Sequence, residues 1–254
     1  MSLGRRKVEV DDARAWVFNR MAAVYDARPP YPTALVDAVV ALAKGAPARV
    51  VDLGAGIGHL SLPLAARGFS VTAVEPAIAM LERLSARARE RGLRVAALHA
   101  KAEAVPLPSA CTELVIIADA LHFLDAELTA QEVARLLVPG GALALITCEP
   151  ADTPFMNALS SIMHEAAPRR PRATASPLLQ LAKVAGITLS PVRAFHDSTQ
   201  VQSDELERIL RSISYIGPAM SAARFAAFCQ RVHGLPDPAW ARTFLFYGGV
   251  KQRA

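Results

Sequence analysis

The order of apolar and amphipathic segments along the chain predicts an α/β fold with a doubly wound, mostly parallel sheet. Short apolar runs at residues 50–53 and 70–74 have the length and composition of buried strands, and segments with helical periodicity separate most such runs. A turn with three glycines joins the first of these runs to the next helical segment. The 254 residues, of which 52% are hydrophobic, are enough for one such domain with an appended cap.

The glycine turn at Gly54, Gly56 and Gly58 is the first indication of a ligand site. Glycine adopts a positive φ without strain, and its missing Cβ lets a ligand lie directly on the backbone where the next helix begins. Glu75 follows the second apolar run, and Pro76 biases it toward an extended backbone. A carboxylate at the tip of the second strand is placed to accept hydrogen bonds from a ribose diol.

The spacing of the glycines distinguishes two kinds of ligand. A dinucleotide-binding turn has the pattern Gly-x-Gly-x-x-Gly, whereas here the third glycine comes one residue early and His59 stands where that glycine would be. Asp52 precedes the turn; its charge would repel a pyrophosphate but suits a cofactor with a sulfonium and an amino group. A doubly wound turn that binds no ligand is the alternative.

These residues resemble motif I and the ribose-binding acid of class I S-adenosylmethionine-dependent methyltransferases. The resemblance implies a Rossmann-like doubly wound sheet of seven strands, the last one antiparallel, with an N-terminal lid and a helical cap. It also implies S-adenosylmethionine as cofactor and S-adenosylhomocysteine as product. The residues expected at the cofactor are Tyr25, Arg28, Tyr31, Asp52, Gly54, Ala55, Gly56, Glu75, Pro76, Met80, Ala102, Glu103 and Asp119.

Three of these residues are expected near the adenine. Ala102-Glu103 resembles an Ala-Glu pair that borders the adenine in the family's loop after the third strand, although Lys101 stands where the family often has a small or acidic residue. Met80 lies on the predicted helix after the second strand, where it would touch the adenine or be an ordinary core residue.

Residues 25–32 follow a predicted helix over residues 10–24 and contain three prolines, which exclude regular structure. Their pattern Tyr-Asp-x-x-Arg-Pro-x-Tyr-Pro resembles the N-terminal lid of a group of small-molecule methyltransferases. Such a lid would fold over the cofactor, with Arg28 pairing with the amino-acid carboxylate of the cofactor or with an acidic substrate. By spacing alone, a simple linker is an equal alternative.

Asp119 and His122 follow the fourth predicted strand, over residues 113–118. Ligands bind at the carboxyl ends of parallel strands, so both side chains should face the cofactor crevice. The resemblance places Asp119 at the methionine moiety of the cofactor, and His122-Phe123 is similar to a His-aromatic pair of the family. His122 is therefore the candidate general base, the alternative being that it only packs against Phe123.

Two features of the sequence bear on the identity of the methyl acceptor. The sequence Asp-Pro-Pro-Tyr, which is typical of enzymes that methylate exocyclic amines of nucleic-acid bases, is absent after the fourth strand. Cys148 follows the fifth predicted strand, a position that invites comparison with enzymes that methylate C5 of cytosine in RNA. No Pro-Cys follows the fourth strand, so Cys148 is predicted to be a buried thiol and not a nucleophile.

The remaining elements follow from the periodicity of the apolar residues. Helices are predicted over residues 33–44, 57–67, 77–91, 125–137, 154–167, 176–185, 203–214 and 219–232. Further strands are predicted over residues 94–98, 142–147, 187–195 and 243–250. Only two strands accompany the last four helices, which indicates that some helices cap the sheet and line a substrate pocket. We therefore expect an N-terminal helix and lid over residues 1–32, a cofactor-binding core over residues 33–150, and a helical substrate cap with the last two strands over residues 151–254.

Arginine supplies most of the positive charge, and the net charge is +5. Arg83, Arg87, Arg89, Arg91 and Arg94 fall on and just after one predicted helix without aromatic residues between them, which indicates a solvated helix face more than a nucleic-acid site. A second arginine group, at positions 169, 170 and 172, lies in an apparent loop.

The remaining observations concern compartment and reaction class. Residues 1–12 lack an apolar segment of signal-peptide type, and no apolar run has the length of a membrane span. Three distant cysteines give neither a disulfide framework nor a Cys-x-x-Cys metal site. We expect a cytoplasmic enzyme without a metal that methylates an oxygen, nitrogen or carbon of a small molecule. An RNA methyltransferase and a non-catalytic cofactor-binding regulatory protein are the alternatives; the sequence specifies neither the acceptor nor the oligomeric state.

Overall fold

The computed structural model describes residues 17–45, 47–168 and 175–252. Most of the helix predicted over residues 10–24 and the arginine group at residues 169–172 lie outside the described residues. The described chain forms a central sheet with helices on both sides, which confirms the predicted mixed α/β fold.

The sheet contains eight strands. They are β1 (Arg49–Leu53), β2 (Ser70–Val74), β3 (Val95–Leu98), β4 (Thr112–Ala118), β5 (Leu137–Pro150), β6 (Ile187–Leu189), β7 (Arg193–Gln200) and β8 (Ala239–Lys251). Their order is β3-β2-β1-β4-β5-β8-β6, with β7 also paired to β8. The pairs among the first five strands are parallel, and β8 is antiparallel to β5. The direction of strand succession reverses between β1 and β4, which is where doubly wound folds bind ligands.

The prediction of seven strands is wrong by one. The strand expected over residues 187–195 is two strands, because Pro191 has no backbone N–H to continue the ladder. β6 pairs with the end of β8 (Leu189 opposite Gly249), and β7 pairs with the rest (Arg193 opposite Phe246). Both lie along the same edge of β8, so one position in the sheet is filled by two successive strands.

Nine α-helices accompany the sheet in the described part of the chain. They are α1 (Val17–Met21), α2 (Thr33–Leu42), α3 (Ser61–Ala66), α4 (Ile78–Glu90), α5 (Ala126–Leu136), α6 (Pro154–Ala166), α7 (Ala175–Val184), α8 (Ser203–Arg211) and α9 (Ala222–His233). Most begin and end within three residues of the predicted bounds. The exception is α3, which begins four residues late because Gly56 and Gly58 keep the preceding chain in turns with positive φ. None of the helices in residues 17–45, 47–168 and 175–252 combines the length and apolar content needed to cross a bilayer.

Successive side chains along each strand point to opposite faces of the sheet, so a hydrophobic core lies on each face. Val50 and Ile116 face a cluster that includes α2, whereas Val51 and Ile117 face a cluster that includes α5 and α7. A third cluster, built from α6, α8 and α9, lies beyond the sheet and includes Phe225 and Phe228. This third cluster forms a cap above the carboxyl end of β5.

Residues 25–32, which we call the N-terminal segment, are held in place by three contacts distant in sequence. Arg242 on β8 is 8% exposed and donates to the carbonyls of Pro29 (2.9 Å) and Pro30 (2.8 Å) while pairing with Asp197. Arg28 donates to the Ser212 hydroxyl (3.0 Å) and carbonyl (2.8 Å). In addition, the Asp26 carboxylate pairs with Arg83 and with Arg87 (3.7 Å) of α4. Two arginines of the predicted basic face therefore bind this segment.

We predict that Arg242→Met lowers the free energy of unfolding by about 1.5–3 kcal/mol, the range for hydrogen bonds that involve a charged group. Methionine keeps an apolar stem but leaves the Pro29 and Pro30 carbonyls without their donor. The matched control is Arg231→Met, which removes an exposed pair with Glu165 and should change stability by only about 0–1 kcal/mol. Urea unfolding followed by circular dichroism compares the two variants, and equal losses would contradict the prediction.

Candidate functional site

A cavity of about 610 Å³ opens at the carboxyl ends of β1, β4 and β5, where the strand order reverses. The N-terminal segment, the glycine turn, the ends of β4 and β5, the cap and the start of β8 all contribute to its wall. Its lining includes Phe18, Tyr25, Arg28, Tyr31, Asp52, Gly54, Ala55, Gly56, His59, Asp119, His122, Phe123, Cys148, Glu149, Met156, Ser160, Met163, His164, Ile213, Ser214, Tyr215, Trp240, Arg242 and Phe244. The volume and the mixture of apolar and polar side chains are those of a small-molecule site.

The three glycines of the turn serve different purposes. All have positive φ, at 75°, 55° and 84° for Gly54, Gly56 and Gly58. A Cβ on Gly54 would lie 2.7 Å from the Ala120 Cβ, and one on Gly58 would lie 3.0 Å from the Leu84 side chain. A Cβ on Gly56 would meet nothing closer than the Tyr25 ring, at 4.0 Å. Close packing thus excludes side chains at two positions, whereas at Gly56, which lines the cavity, the space a side chain would occupy is open to a ligand.

Asp52, at the end of β1, lies in the cavity wall and is 2% exposed. Burial raises the pKa of its carboxyl to about 6, while the hydroxyl of Ser61 donates a hydrogen bond of 2.6 Å that partly offsets the increase. Ser61 is the first residue of α3, so the helix start fixes the orientation of this carboxylate.

Glu75 follows β2 and joins the glycine turn to the start of the next helix. One carboxylate oxygen accepts the N–H of Gly56 (2.9 Å) and the other accepts the N–H of Ala77 (2.9 Å). Burial raises the pKa of Glu75 to about 7, although both hydrogen bonds favour the charged form. The carboxyl is therefore poised to change protonation near neutral pH and to hold the turn that faces the cavity.

The N-terminal segment contributes both predicted tyrosines and the predicted arginine to the cavity wall. The Arg28 guanidinium lies 4.5 Å from the centre of the Tyr25 ring, and the Tyr31 ring lies 5.3 Å from that of Phe244. Both tyrosines are half-buried, and the loss of solvation raises the pKa of each phenol above its usual value. The tyrosines thus stay uncharged, and Arg28 carries the positive charge of this wall.

His59 is a cavity residue that the sequence analysis did not assign to the site. Its ring meets the edges of Tyr25 and Tyr31, at centroid distances of 6.1 and 6.4 Å. Burial, reinforced by Arg87 and Arg28, lowers its pKa to about 3, so the imidazole is neutral at physiological pH. The sequence feature that could have identified His59 as a site residue is its position directly after the third glycine.

Asp119 and His122 lie together after β4, as predicted. Asp119 has a φ of 50°, and its N–H donates to the carbonyl of Ile146 on β5 (2.8 Å). Aspartate tolerates this conformation better than most residues, and it turns the chain sharply into a short 3₁₀ helix, Leu121–Phe123. The His122 and Phe123 ring centres are 3.9 Å apart, and Phe123 contacts Phe18 edge-on. Both Asp119 and His122 reach the cavity.

Cys148 is half-buried in the cavity wall, so the prediction of a buried thiol is correct only in part. Burial raises the pKa of the thiol to about 12, and the neighbouring Asp119 adds to the increase. A thiol that stays protonated at neutral pH is a weak nucleophile.

Nine of the fourteen residues predicted for the site line the cavity, and five do not. Glu75, Pro76, Met80, Ala102 and Glu103 lie behind the turn or in the adjacent core. Met80 is 1% exposed and packs with Ile57 and Met21, while Ala102 is buried in the core on the α5 side of the sheet. The Pro76 carbonyl is 2.9 Å from His99 Nε2, and the Glu103 carboxylate accepts the N–H of Asp125 (2.9 Å).

The cap residues of the wall were also missed. Met156, Met163, Tyr215 and Trp240 line the cavity from α6, the loop after α8 and the start of β8. Sequence periodicity predicts the helices of the cap but not which of their faces meets the sheet, so no local signal identifies these residues. Within the described residues, no group of three or more His, Cys, Asp or Glu side chains could hold a metal ion.

The residues present fit S-adenosylmethionine. Gly56 presents open backbone and donates its N–H to the carboxylate of Glu75, which follows β2. Asp52 on β1 and Arg28 of the N-terminal segment contribute a carboxyl and a positive charge to the same cavity wall. A pyrophosphate on this turn would be repelled by Asp52, which argues against a dinucleotide.

Comparison with known proteins agrees with this geometry. Residues 50–141 match the model of a family described as a methyltransferase domain. An uncharacterised methyltransferase of Mycobacterium tuberculosis is 40% identical over 119 residues, which are 47% of this chain and 46% of the relative. A demethylmenaquinone methyltransferase of Thermus thermophilus is 39% identical over 108 residues, which are 41% of this chain and 49% of the relative. The chain thus matches about half the length of these curated relatives.

The fold extends beyond the matched segment. The crystal structure of the YcgJ protein from Bacillus subtilis has a TM-score of 0.63 with 18% identity and covers 88% of this chain and 100% of that chain. The similarity therefore includes residues outside 50–141. The resemblance of the N-terminal segment to a lid stays a prediction.

We predict that the glycines of the turn differ in what they tolerate. Gly54→Ala adds a contact with Ala120 to the strain of a positive φ and should destabilise the fold by about 2–5 kcal/mol. Gly56→Ala adds only the conformational strain, about 1–2 kcal/mol, but its methyl group should weaken the binding of S-adenosylmethionine.

Gly92→Ala is the matched control. It has a φ of 64° and open space around it, and it lies far from the cavity after α4. Its stability in urea should match that of Gly56→Ala, whereas its affinity for S-adenosylmethionine, measured by calorimetry, should equal that of the unmodified protein. Equal affinities for the Gly56 and Gly92 variants would show that the turn does not contact the cofactor.

Proposed function

We propose that this protein transfers a methyl group from S-adenosylmethionine to an oxygen, nitrogen or carbon of a small molecule. The observation that carries the proposal is the open backbone of Gly56 in the cavity wall, which is hydrogen-bonded to the buried carboxyl of Glu75 and shares that wall with the buried carboxyl of Asp52. The matched methyltransferase domain contains both acids and the turn.

In this proposal the cofactor-binding residues come from the predicted core and the N-terminal segment. Glu75 and Gly56 would hold the ribose, Asp52 the amino group and Arg28 the carboxylate, since these charges and donors are complementary. Pro76, Met80, Ala102 and Glu103 would border the adenine from the adjacent core. When bound, the cofactor supplies an electrophilic methyl group on a sulfonium. The protein aligns the two ligands and excludes water, which can contribute about 7–11 kcal/mol in well-oriented cases.

The N-terminal segment is proposed to act as a lid. Arg242 donates to backbone carbonyls of the segment, and Ser212 accepts from its Arg28 side chain; both lie on the cap side of the cavity. Tyr25 and Tyr31 close the wall between the turn and the cap. Cofactor binding should then protect this segment from proteolysis.

The acceptor is proposed to be a small molecule bound between residues 33–150 and the cap over residues 151–254. The cavity has the size of a metabolite site, and one relative is named for demethylmenaquinone, a small molecule. An RNA acceptor has less support, because Arg83 and Arg87 of the basic helix are paired with Asp26.

The proposed function is tested in two steps. Calorimetry first measures S-adenosylmethionine binding. Incubation with methyl-labelled cofactor and a metabolite extract, followed by mass spectrometry, then identifies the labelled product and the methylated atom. Binding without any labelled product would favour a regulatory protein, and labelled RNA would favour the nucleic-acid alternative.

We predict that S-adenosylmethionine binds more tightly as the pH rises from 6 to 8. The pKa of Glu75 is about 7, and ribose hydroxyls donate to the ionised carboxylate, so protonated Glu75 must lose its proton before the cofactor binds. Glu75→Gln should remove this pH dependence and weaken binding at pH 8 by about 1.5–3 kcal/mol. Glutamine retains one acceptor for the turn, which alanine would not.

The control for this measurement is Glu113→Gln, at the opposite end of the sheet, where the carboxylate pairs with Arg49. This variant should keep both the affinity and its pH dependence. Calorimetric titrations at half-unit pH intervals make the comparison. An unmodified protein whose affinity does not change between pH 6 and 8 would argue against contact between Glu75 and the ribose.

We predict that His122 acts as the general base if the acceptor is a hydroxyl compound. The ring reaches the cavity at the end of β4, and a positioned base contributes about 10²- to 10⁴-fold. His122→Ala and His122→Gln should lower kcat by this factor at saturating cofactor and remove one limb of the pH profile between pH 6 and 9. His233→Gln, at the exposed end of α9, is the control. Unchanged kcat and pH profile in both His122 variants would exclude the role.

A further inference from the structure

The cap side of the cavity is a mostly apolar wall. Met156, Ser160 and Met163 of α6 line it at spacings of four and three residues, which places them on one face of the helix. Ile213 and Trp240 continue this wall from the loop after α8 and from the start of β8. Methionine adapts its shape to a bound ring and makes favourable contacts with aromatic groups, so the wall suits a flat apolar ligand.

Aromatic residues are concentrated in the same cavity. The chain has two Trp, four Tyr and nine Phe residues, and seven of these fifteen line the cavity. Tyr215 and Trp240 belong to the cap side, and Tyr31 and Phe244 lie between the cap and the glycine turn. Rings of this kind favour offset or edge-on contact with a second aromatic ring over contact with an aliphatic chain.

The charged residues of the cavity wall do not belong to the cap helices or to the loop after α8. They come from the N-terminal segment and from the strands and strand ends, and they are Arg28, Asp52, Asp119, Glu149 and Arg242. The described residues that α6, the loop after α8 and Trp240 contribute to the wall include no carboxylate, lysine or arginine. Their polar groups are the hydroxyls of Ser160, Ser214 and Tyr215 and the exposed His164. A charged group seated against α6 and Trp240 would therefore lose solvation among mostly apolar side chains, whereas a hydroxyl loses less.

We propose that the methyl acceptor is an uncharged aromatic ring compound that carries a hydroxyl group and binds between the α6 methionines and Trp240. The inference rests on the proposed function, because it assigns this wall to the acceptor. It narrows the acceptor from any small metabolite to one chemical class.

Three naphthalene probes that share one ring system and carry a neutral, an anionic or a cationic substituent test the proposal by calorimetry. They are 2-naphthol, 2-naphthoate and 2-naphthylmethylammonium, each titrated at pH 7 with and without saturating S-adenosylhomocysteine. We expect 2-naphthol to bind at least about tenfold more tightly than either charged probe, because burying a charged group against the cap wall costs more solvation than burying a hydroxyl. Tighter binding of a charged probe, or no binding of 2-naphthol in either condition, would overturn the proposal.

Substitutions at two half-buried methionines locate the binding site. Met163→Ala should weaken 2-naphthol binding by about 5- to 30-fold, since it removes apolar contact from the wall. Met163→Leu should restore the affinity to within about twofold, because leucine conserves the volume. Met220→Ala is the control, since Met220 packs against the same cap cluster but does not line the cavity. If Met163→Ala and Met220→Ala bind the probe equally well, the ring does not lie on α6.

Titration of S-adenosylmethionine into the same preparations separates this inference from the proposed function. A protein that binds the cofactor but not 2-naphthol rejects the acceptor class and leaves methyl transfer standing. If 2-naphthol binds in a Met163-dependent way but the cofactor does not bind, the methyltransferase proposal fails, and with it the assignment of this wall to a methyl acceptor.

Discussion

The burial of two carboxyls at the ends of neighbouring parallel strands is the constraint on which the candidate site depends. Asp52 and Glu75 are 2% and 6% exposed, and burial of an unpaired carboxylate would be very costly. The protein provides neutral donors in place of counter-ions: the Ser61 hydroxyl for Asp52, and the N–H groups of Gly56 and Ala77 for Glu75. The carboxyls therefore retain raised pKa values and stay available to a ligand that brings donors of its own.

The same hydrogen bonds determine the shape of the turn. The bond between Glu75 and Gly56 connects the loop after β1 to the end of β2, so the acid that we assign to the ribose also holds the backbone that the ribose would approach. Close packing of Gly54 on Ala120 ties this turn to the end of β4, next to Asp119 and His122. The glycine turn and the end of β4 are thus parts of one packed unit.

The local features of this unit could be predicted from the sequence. Glycine spacing, a strand-tip acid and Pro76 are adjacent in the chain, and their effect on the backbone needs no tertiary information. Most helix bounds could be predicted for the same reason, because they depend on local sequence. The strand count was wrong because Pro191 interrupts pairing within the run predicted as one strand, and both resulting strands pair with β8. His59 and the cap residues were missed because their place in the wall depends on contacts between segments far apart in sequence.

Arg242 and Ser212 bind a segment that begins more than 180 residues earlier in the chain. β8 also lies between β5 on one side and β6 and β7 on the other, both of which pair with β8. It is the last strand in the described chain. During synthesis, residues 25–32 therefore leave the ribosome long before either of their partners exists. While the glycine turn and the first five strands assemble, Asp26 can already pair with Arg83 and Arg87, but the bonds from Arg242 and Ser212 form only after the cap and the last strand have been made. Completion of the binding site thus coincides with completion of the fold, and a chain that stops before β8 has no closed cavity to offer a ligand.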